Sequence, residues 1–319
     1  MHRPNLTIFA ANGRESFTSQ QITRLESHAE VCWITAMEKV TPERFVKLLA
    51  TTDFAAITPR VTPLLDLSII AQLSRLKGIA IPTTGHEWLN VAALLSAGIT
   101  VSNLPDFSTI SCAEFTWGLI FNLTRHIGEA ANRIKAADFT TGGLRGIELH
   151  GRTLGVVGMG CVGSRVAAMG SQLGMRVLGH DLHPISPAVA ESTPFLELLA
   201  QSDIVSLHLP LTAQTRELIN DKSVQYLKPG AFLVNTARPH LVNPTALSPL
   251  LNSGRLAGYA FDLGYEPPST YAEIIRLPGV MALPHISWYT AEAVTRETEG
   301  WVTNIISLVN GKPRNCLQQ

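Results

Sequence analysis

Leu154-Gly155-Val156-Val157-Gly158-Met159-Gly160-Cys161-Val162-Gly163 carries a short apolar, β-branched run straight into three glycines with G-x-G-x-x-G spacing. A helical period through Val166, Met169 and Leu173 follows. In that strand-turn-helix setting each glycine has a task. Gly158 makes the tight turn, Gly160 lets backbone amides approach a pyrophosphate, and Gly163 lets helix and strand pack closely. Asp181 ends the next apolar run, 18 residues after Gly163, where a carboxylate accepts hydrogen bonds from the adenosine ribose. The stretch predicts a Rossmann dinucleotide site on Gly158, Met159, Gly160, Cys161, Val162, Gly163 and Asp181. A carboxylate at Asp181 repels the 2′-phosphate of NADP and Leu182 offers no guanidinium, so NAD is the expected cofactor. A protonated His183 would soften that repulsion.

Because the fingerprint begins only at residue 158, the preceding segment needs a fold of its own. Strand-like runs at Leu6 to Ala10, Val31 to Thr35, Phe54 to Ile57, Ile79 to Pro82 and Thr100 to Asn103 alternate with helical periods, the pattern of a parallel sheet covered by helices. A longer helical stretch is expected from Ile110 to Ala136, with Ala113, Trp117, Ile120, Leu123 and Ile127 on its apolar face. After the glycine-rich Thr141 to Gly146, strands are expected at Thr153 to Gly158, Arg176 to Asp181, Ile204 to Leu209, Ala231 to Thr236, Leu256 to Asp262 and Val280 to Leu283, a six-strand Rossmann count. A last helix, from Thr290 to Asn310, ends at Asn310-Gly311 and Pro313. The fold class is α/β with two doubly wound parallel-sheet lobes. A Rossmann NAD-binding domain (104–287) is inserted into a flavodoxin-like substrate domain (1–103 plus 288–319).

The 319 residues suit two domains, and a formal net charge of zero with 16% charged residues advertises no nucleic-acid or membrane surface. Cys32, Cys112, Cys161 and Cys316 lack metal-ligand spacing, so free thiols and no metal are expected. Met1 to Ala11 reads as a first strand rather than a signal peptide, and charged residues interrupt every apolar run before it reaches bilayer length. These features favour a soluble, cytoplasmic enzyme, and the low charge content favours a homodimer.

Three ionisable residues stand at or beyond the carboxyl ends of second-lobe strands, where open α/β sheets bind ligands. They are Arg238 in Asn235-Thr236-Ala237-Arg238, Glu266 in Tyr265-Glu266-Pro267-Pro268, and His285 in Leu283-Pro284-His285-Ile286. Here the sequence resembles the D-isomer-specific 2-hydroxyacid dehydrogenase family, which includes phosphoglycerate dehydrogenases, glyoxylate and hydroxypyruvate reductases and the C-terminal-binding protein corepressors. The motifs come in fixed order over nearly the whole chain: Gly98-Ile99 with Val101-Ser102-Asn103, Ala113-Glu114, Leu149 to Gly163, Leu207-His208-Leu209-Pro210-Leu211-Thr212, Leu227-Lys228-Pro229-Gly230 leading to Arg238, and Pro284-His285-Ile286.

The resemblance implies NAD-dependent hydride transfer to and from C2 of a small D-2-hydroxy acid. A planar guanidinium can hold a 2-keto acid's carboxylate and polarise its carbonyl, which makes Arg238 the anchor. His285 would be the general acid and base, and Glu266 would orient it and raise its pKa. Cofactor contacts are implied at Leu209, Pro210, Thr236, Ala237, His285 and Asp262, the last toward the nicotinamide carboxamide. Thr84 and Gly85, in Thr83-Thr84-Gly85-His86-Glu87-Trp88, occupy the place of the substrate loop. Trp288, in a run similar to the corepressor branch, is a pocket-wall candidate, as is Trp88. Arg60 reads as a surface arginine at a place where phosphoglycerate dehydrogenases carry a basic group.

Two departures stand at the chemistry. Glu266 lies four residues after Asp262 where the family usually counts five, and Pro239-His240 follows Arg238 where glycine is usual. Proline biases its predecessor toward extended backbone. The alternative function is an NAD-sensing interaction protein like the corepressors; the chain's end at Gln319, soon after the last helix, favours the enzyme.

Overall fold

The structure is a computed structural model that describes residues 3–35, 40–59, 65–264 and 268–318. It divides into two compact units, Met1–Ser108 with Thr290–Gln319, and Thr109–Tyr289. The first runs β1 (Asn5–Ala10), α1 (Ser19–His28), β2 (Glu30–Thr35), α2 (Pro42–Ala50), β3 (Phe54–Ala56), α3 (Leu67–Ile70), β4 (Gly78–Ala80), α4 (Val91–Ser96) and β5 (Thr100–Ser102). The second runs α5 (Thr109–Arg125), α6 (Ile127–Lys135), β6 (Thr153–Val157), α7 (Cys161–Gln172), β7 (Arg176–His180), β8 (Glu191–Ser192), α8 (Phe195–Gln201), β9 (Ile204–Leu207), β10 (Ala231–Asn235), α9 (Pro244–Asn252), β11 (Leu256–Asp262), α10 (Ala272–Ile275) and β12 (Val280–Leu283). The chain then returns to the first unit as α11 (Ala291–Val309).

In the first unit the strand order is β2-β1-β3-β4-β5, all neighbours parallel, the flavodoxin-like order. Successive side chains of a strand face opposite ways, and the inner strands are covered on both faces, so β3 and β4 are buried throughout and β1 after Asn5, whereas the edge strand β2 is largely exposed or half-buried. Ile8 joins a core with Ile22, Leu25, Trp301 and Ile305, while Phe9 joins one with Phe45, Leu49 and Leu94. The terminal helix is bound into this unit by Trp301, whose indole N–H donates to Ala80 O at 3.0 Å. Its start is capped by Thr290 Oγ1, which accepts from the Ala293 amide.

The second sheet has the order β12-β11-β10-β9-β6-β7-β8. Renumbered from its first strand this is the Rossmann order 3-2-1-4-5-6 with a seventh strand beside the sixth. The expected count of six missed β8, two exposed residues pairing Glu191 with Leu178 and Ser192 with Gly179. So short a polar edge strand has no apolar alternation to betray it.

The single helix expected from Ile110 to Ala136 is two. His126 sits in the left-handed region (φ 51°), which breaks the i to i−4 ladder between α5 and α6, and Asn122 Oδ1 accepts from the Gly128 amide just past the break. α5 is built into its own unit: Trp117 donates to Val166 O on α7 at 3.2 Å, and Ala113, Ile120 and Leu123 are buried.

One device recurs in both units. Asp53, before β3, accepts from the Asn5 amide that opens β1, and Asp203, before β9, accepts from the Thr153 amide that opens β6. The preceding hydroxyls, Thr52 and Ser202, each donate to the carbonyl four residues back. Arg75 and Lys77 pair with Asp53, as Arg152 and Lys228 pair with Asp203. Each sheet is thus pinned at the amino end of its strands, leaving the carboxyl end for chemistry.

Candidate functional site

The fingerprint turn lies at the switch point of the second sheet, between β6 and β9. Gly158 has φ +93°, and a Cβ there would stand 2.6 Å from His208 O in the loop after β9, so only glycine fits. At Gly163 a Cβ would stand 1.8 Å from Gly158 O, which is why the helix can start so close to its strand. Gly160, the N-cap of α7, differs: nothing lies within 4 Å of the place its Cβ would take. That open cradle, in front of the unsatisfied amides of a twelve-residue helix, fits the pyrophosphate of a dinucleotide. Cys161 is exposed and Met159 and Val162 are half-buried beside it.

Asp181, just past β7, accepts from the Met159 amide at 2.6 Å and the His183 amide at 2.9 Å, tying its loop to the fingerprint. Burial pushes its pKa up, but these amides and the charge of His183 outweigh that and hold it below the usual carboxylate range. Leu182 beside it is 95% exposed. A carboxylate with a lowered pKa next to a bare leucine suits ribose hydroxyls and disfavours a phosphate. In the loop after β9, desolvation lowers the pKa of His208 to about 4, so this ring is neutral near pH 7. Its Nε2 lies 2.8 Å from Ser206 Oγ. Leu209 and Pro210 follow it, half-buried and exposed.

Arg238 stands in the turn after β10, built by a residue the sequence reading passed over. Asn235 is buried; its side-chain amide donates to Arg238 O at 2.8 Å and its oxygen accepts from the Ala237 amide at 3.1 Å. An asparagine closing its own backbone turn at a strand end is the available signal. Arg238 is extended (φ −136°, ψ 131°), as the following proline dictates, and one terminal nitrogen of its guanidinium donates to Ala237 O. Thr236 is buried, its hydroxyl 2.8 Å from that of Thr116 on α5.

His285 follows β12 in the left-handed region, φ 59°, a conformation that costs a non-glycine residue roughly 1–2 kcal/mol. Its Nδ1 lies 2.7 Å from Leu263 O. Asp262, at the end of the neighbouring β11 and 1% exposed, accepts from the Ile286 amide at 3.0 Å and the Ser287 amide at 2.8 Å. Both its oxygens are therefore engaged by the backbone beside His285. Trp288, half-buried, accepts at its carbonyl from Ser111 Oγ and stacks edge-on with Tyr289. Glu266 lies outside the described residues, and so does Arg60.

Thr84 and Gly85 belong to the first unit, in the loop after β4. Gly85 O accepts from Thr83 Oγ1 at 2.8 Å and from the Trp88 indole at 3.1 Å, and Thr84 Oγ1 donates to Leu104 O. Trp88 thus staples its own loop and packs on the core around Leu94.

Fold and site define a nicotinamide dinucleotide-dependent oxidoreductase. Residues 117–287 match the model of the D-isomer specific 2-hydroxyacid dehydrogenase, NAD binding domain. The chain is 33% identical over 287 residues to a glycerate dehydrogenase from Methylorubrum extorquens, covering 87% of this chain and 89% of that one. Among solved structures, a glyoxylate reductase from Paecilomyes thermophila superposes with a TM-score of 0.89 at 26% identity, covering 99% of both chains. A D-lactate dehydrogenase from Aquifex aeolicus, complexed with NAD and lactic acid, gives 0.84 at 26% identity and 96% of both. The chain belongs to the D-isomer specific 2-hydroxyacid dehydrogenase family and is an NAD-dependent enzyme. Among the described residues no helix is long and apolar enough to cross a membrane.

Proposed function

We propose that the enzyme interconverts a small 2-keto acid and its D-2-hydroxy acid, with Arg238 as the carboxylate anchor and His285 as the general acid and base. The supporting observation is their shared edge: β10, β11 and β12 are consecutive in the sheet, and Arg238, Asp262 and His285 stand at or just past their carboxyl ends. NADH, when bound, supplies the hydride to C2. Gly158 to Gly163 would hold the pyrophosphate, and Asp181 the adenosine ribose. Arg238 orients the keto acid and draws charge toward its carbonyl oxygen, and His285 holds on Nε2 the proton which that oxygen takes up. The segment 104–287 is then the nucleotide domain, and 1–103 with 288–319 the substrate domain, with Thr84 and Gly85 as its substrate-facing turn.

The test is reduction of glyoxylate and pyruvate, followed by NADH absorbance. His285→Ala should lower kcat/KM by roughly two to four orders of magnitude at every pH. Arg238→Lys, which keeps the charge but loses the fork, should raise the keto-acid KM at least about tenfold. Turnover by His285→Ala at the wild-type rate would remove the histidine from the mechanism.

A further inference from the structure

Outside the nucleotide and keto-acid sites, the geometry points to a second binding site: a groove along α11 that takes a small phosphate monoester bearing hydroxyl groups, with Arg296 and Arg314 holding the phosphate. None of its residues takes part in the reaction assigned to Arg238 and His285.

The groove has a volume of about 520 Å³ and lies wholly within the first unit, between α11, Leu104 after β5, and Arg314 with Asn315 beyond the end of α11. That volume falls inside the range of small-molecule sites, about 300–1,000 Å³. Its far wall is fixed by the backbone. Ser102 Oγ donates to Arg314 O at 2.6 Å, the Asn103 amide to Asn315 O at 3.1 Å, and the Leu317 amide to Val101 O at 2.9 Å. Cys316 bridges Ser102 in antiparallel sense, so this tail lies along β5, the edge strand of its sheet. Asn315 stands in the left-handed region (φ 51°), which asparagine tolerates, and its side chain donates to Asn304 Oδ1 at 3.3 Å. Asn304, 2% exposed, donates in turn to Asn103 O at 2.7 Å. Arg314 is therefore carried by an anchored segment of backbone.

The charge on the groove is one-sided. Glu299 is the only acidic residue among those that line it, and its carboxylate is already engaged by Arg24 and Gln21 of α1. Arg296 gives its Nε hydrogen to Phe107 O at 2.8 Å, which leaves its two terminal nitrogens without a partner among the described residues. The Arg314 guanidinium meets no acceptor there at all. Two guanidinium groups without a carboxylate thus share one groove. A phosphate monoester, with a charge of about −1.5 to −2 near pH 7, balances both, where a single carboxylate balances one. Its oxygens also suit the planar fork of each arginine.

The threonines define the rest of the ligand. Thr295 Oγ1 donates to Ala291 O at 2.8 Å and Thr303 Oγ1 to Glu299 O at 2.9 Å. Eight residues apart on α11, both line the groove with their hydrogens spent inside the helix. They offer it only lone pairs, so a group that meets them must donate, as a hydroxyl does.

Isothermal titration calorimetry of the full-length protein with glycerol 3-phosphate tests the site, with NADH saturating so that the pyrophosphate cradle is filled. Kd should be below about 1 mM at low salt, with inorganic phosphate at least about tenfold weaker. Arg314→Gln and Arg296→Gln should each weaken glycerol 3-phosphate at least about tenfold, while NADH Kd stays within about twofold of wild type. The Arg314 side chain holds no other bond among the described residues, so Arg314→Gln carries the test even if Arg296→Gln does not fold. Absence of binding to the wild type at about 10 mM ligand overturns the inference. So does an affinity untouched by Arg314→Gln, which would place the phosphate elsewhere on the protein. Inorganic phosphate bound as tightly as the ester also overturns it, since the threonines would then select nothing.

Discussion

On the proposed reading, one carboxylate, Asp181, decides between two cofactors. The amides of Met159 and His183 hold it below the usual carboxylate range, and Leu182 adds no positive group. NADH should be preferred over NADPH by at least roughly tenfold in kcat/KM, which is about 1.4 kcal/mol, a small demand on a charge facing a phosphate. Asp181→Ala should bring the ratio toward one; equal constants in the wild type would defeat the claim. The residues that sequence proposes for the site, namely the three glycines, Asp181, Arg238 and His285, are those whose side chains or lack of one would carry the proposed chemistry. Asn235 and Leu263 are not legible in the same way. The first builds the Arg238 turn from within and the second meets the His285 ring through its main-chain carbonyl, which no residue type announces.

Elements are legible where burial writes a pattern. The inner parallel strands of both units are buried on both faces, so they read as apolar runs, and their order follows from the fingerprint and alternating helices. β8 and the break at His126 do not read, because one is polar and two residues long, and across the other the apolar period continues to Ile127. The pins at Asp53 and Asp203 are polar and lie outside that pattern too. Burial alone would raise the pKa of Asp53, but bonds from Arg75, the Asn5 amide and Lys77 outweigh it and bring it down to about 2. A carboxylate depressed in the folded state stabilises above its unfolded pKa, near 3.9, and loses that contribution as pH falls toward 2. Asp53→Asn should therefore cost about 1–2 kcal/mol at pH 7 in urea unfolding and flatten the loss of stability between about pH 4 and 2. An unaltered acid limb would show that the pin does not couple to folding.

At the scale of the molecule, α6 is amphipathic in sequence yet buries none of its side chains within the chain. Ile127 and Ile134, 54% and 55% exposed, are seven residues apart and so share one face, and Phe139, 79% exposed, follows just beyond the helix. Ile110 and Phe121 on α5 are also exposed, although the rest of that helix is packed on α7. Full burial of an isoleucine or phenylalanine contributes about 1.5–3 kcal/mol each, and a two-fold contact would count every one of them twice. Together with the low charge content, this predicts a homodimer through nucleotide-domain surfaces that include α5 and α6. Light scattering at micromolar concentration should give twice the 34.6 kDa chain mass. The double variant Ile134→Lys with Phe139→Ser, at positions that bear no core, should give a folded chain of single mass. A wild-type protein that scatters as a monomer would mean that these side chains face solvent in the native enzyme, and a double variant that stays dimeric would place the contact elsewhere on the chain.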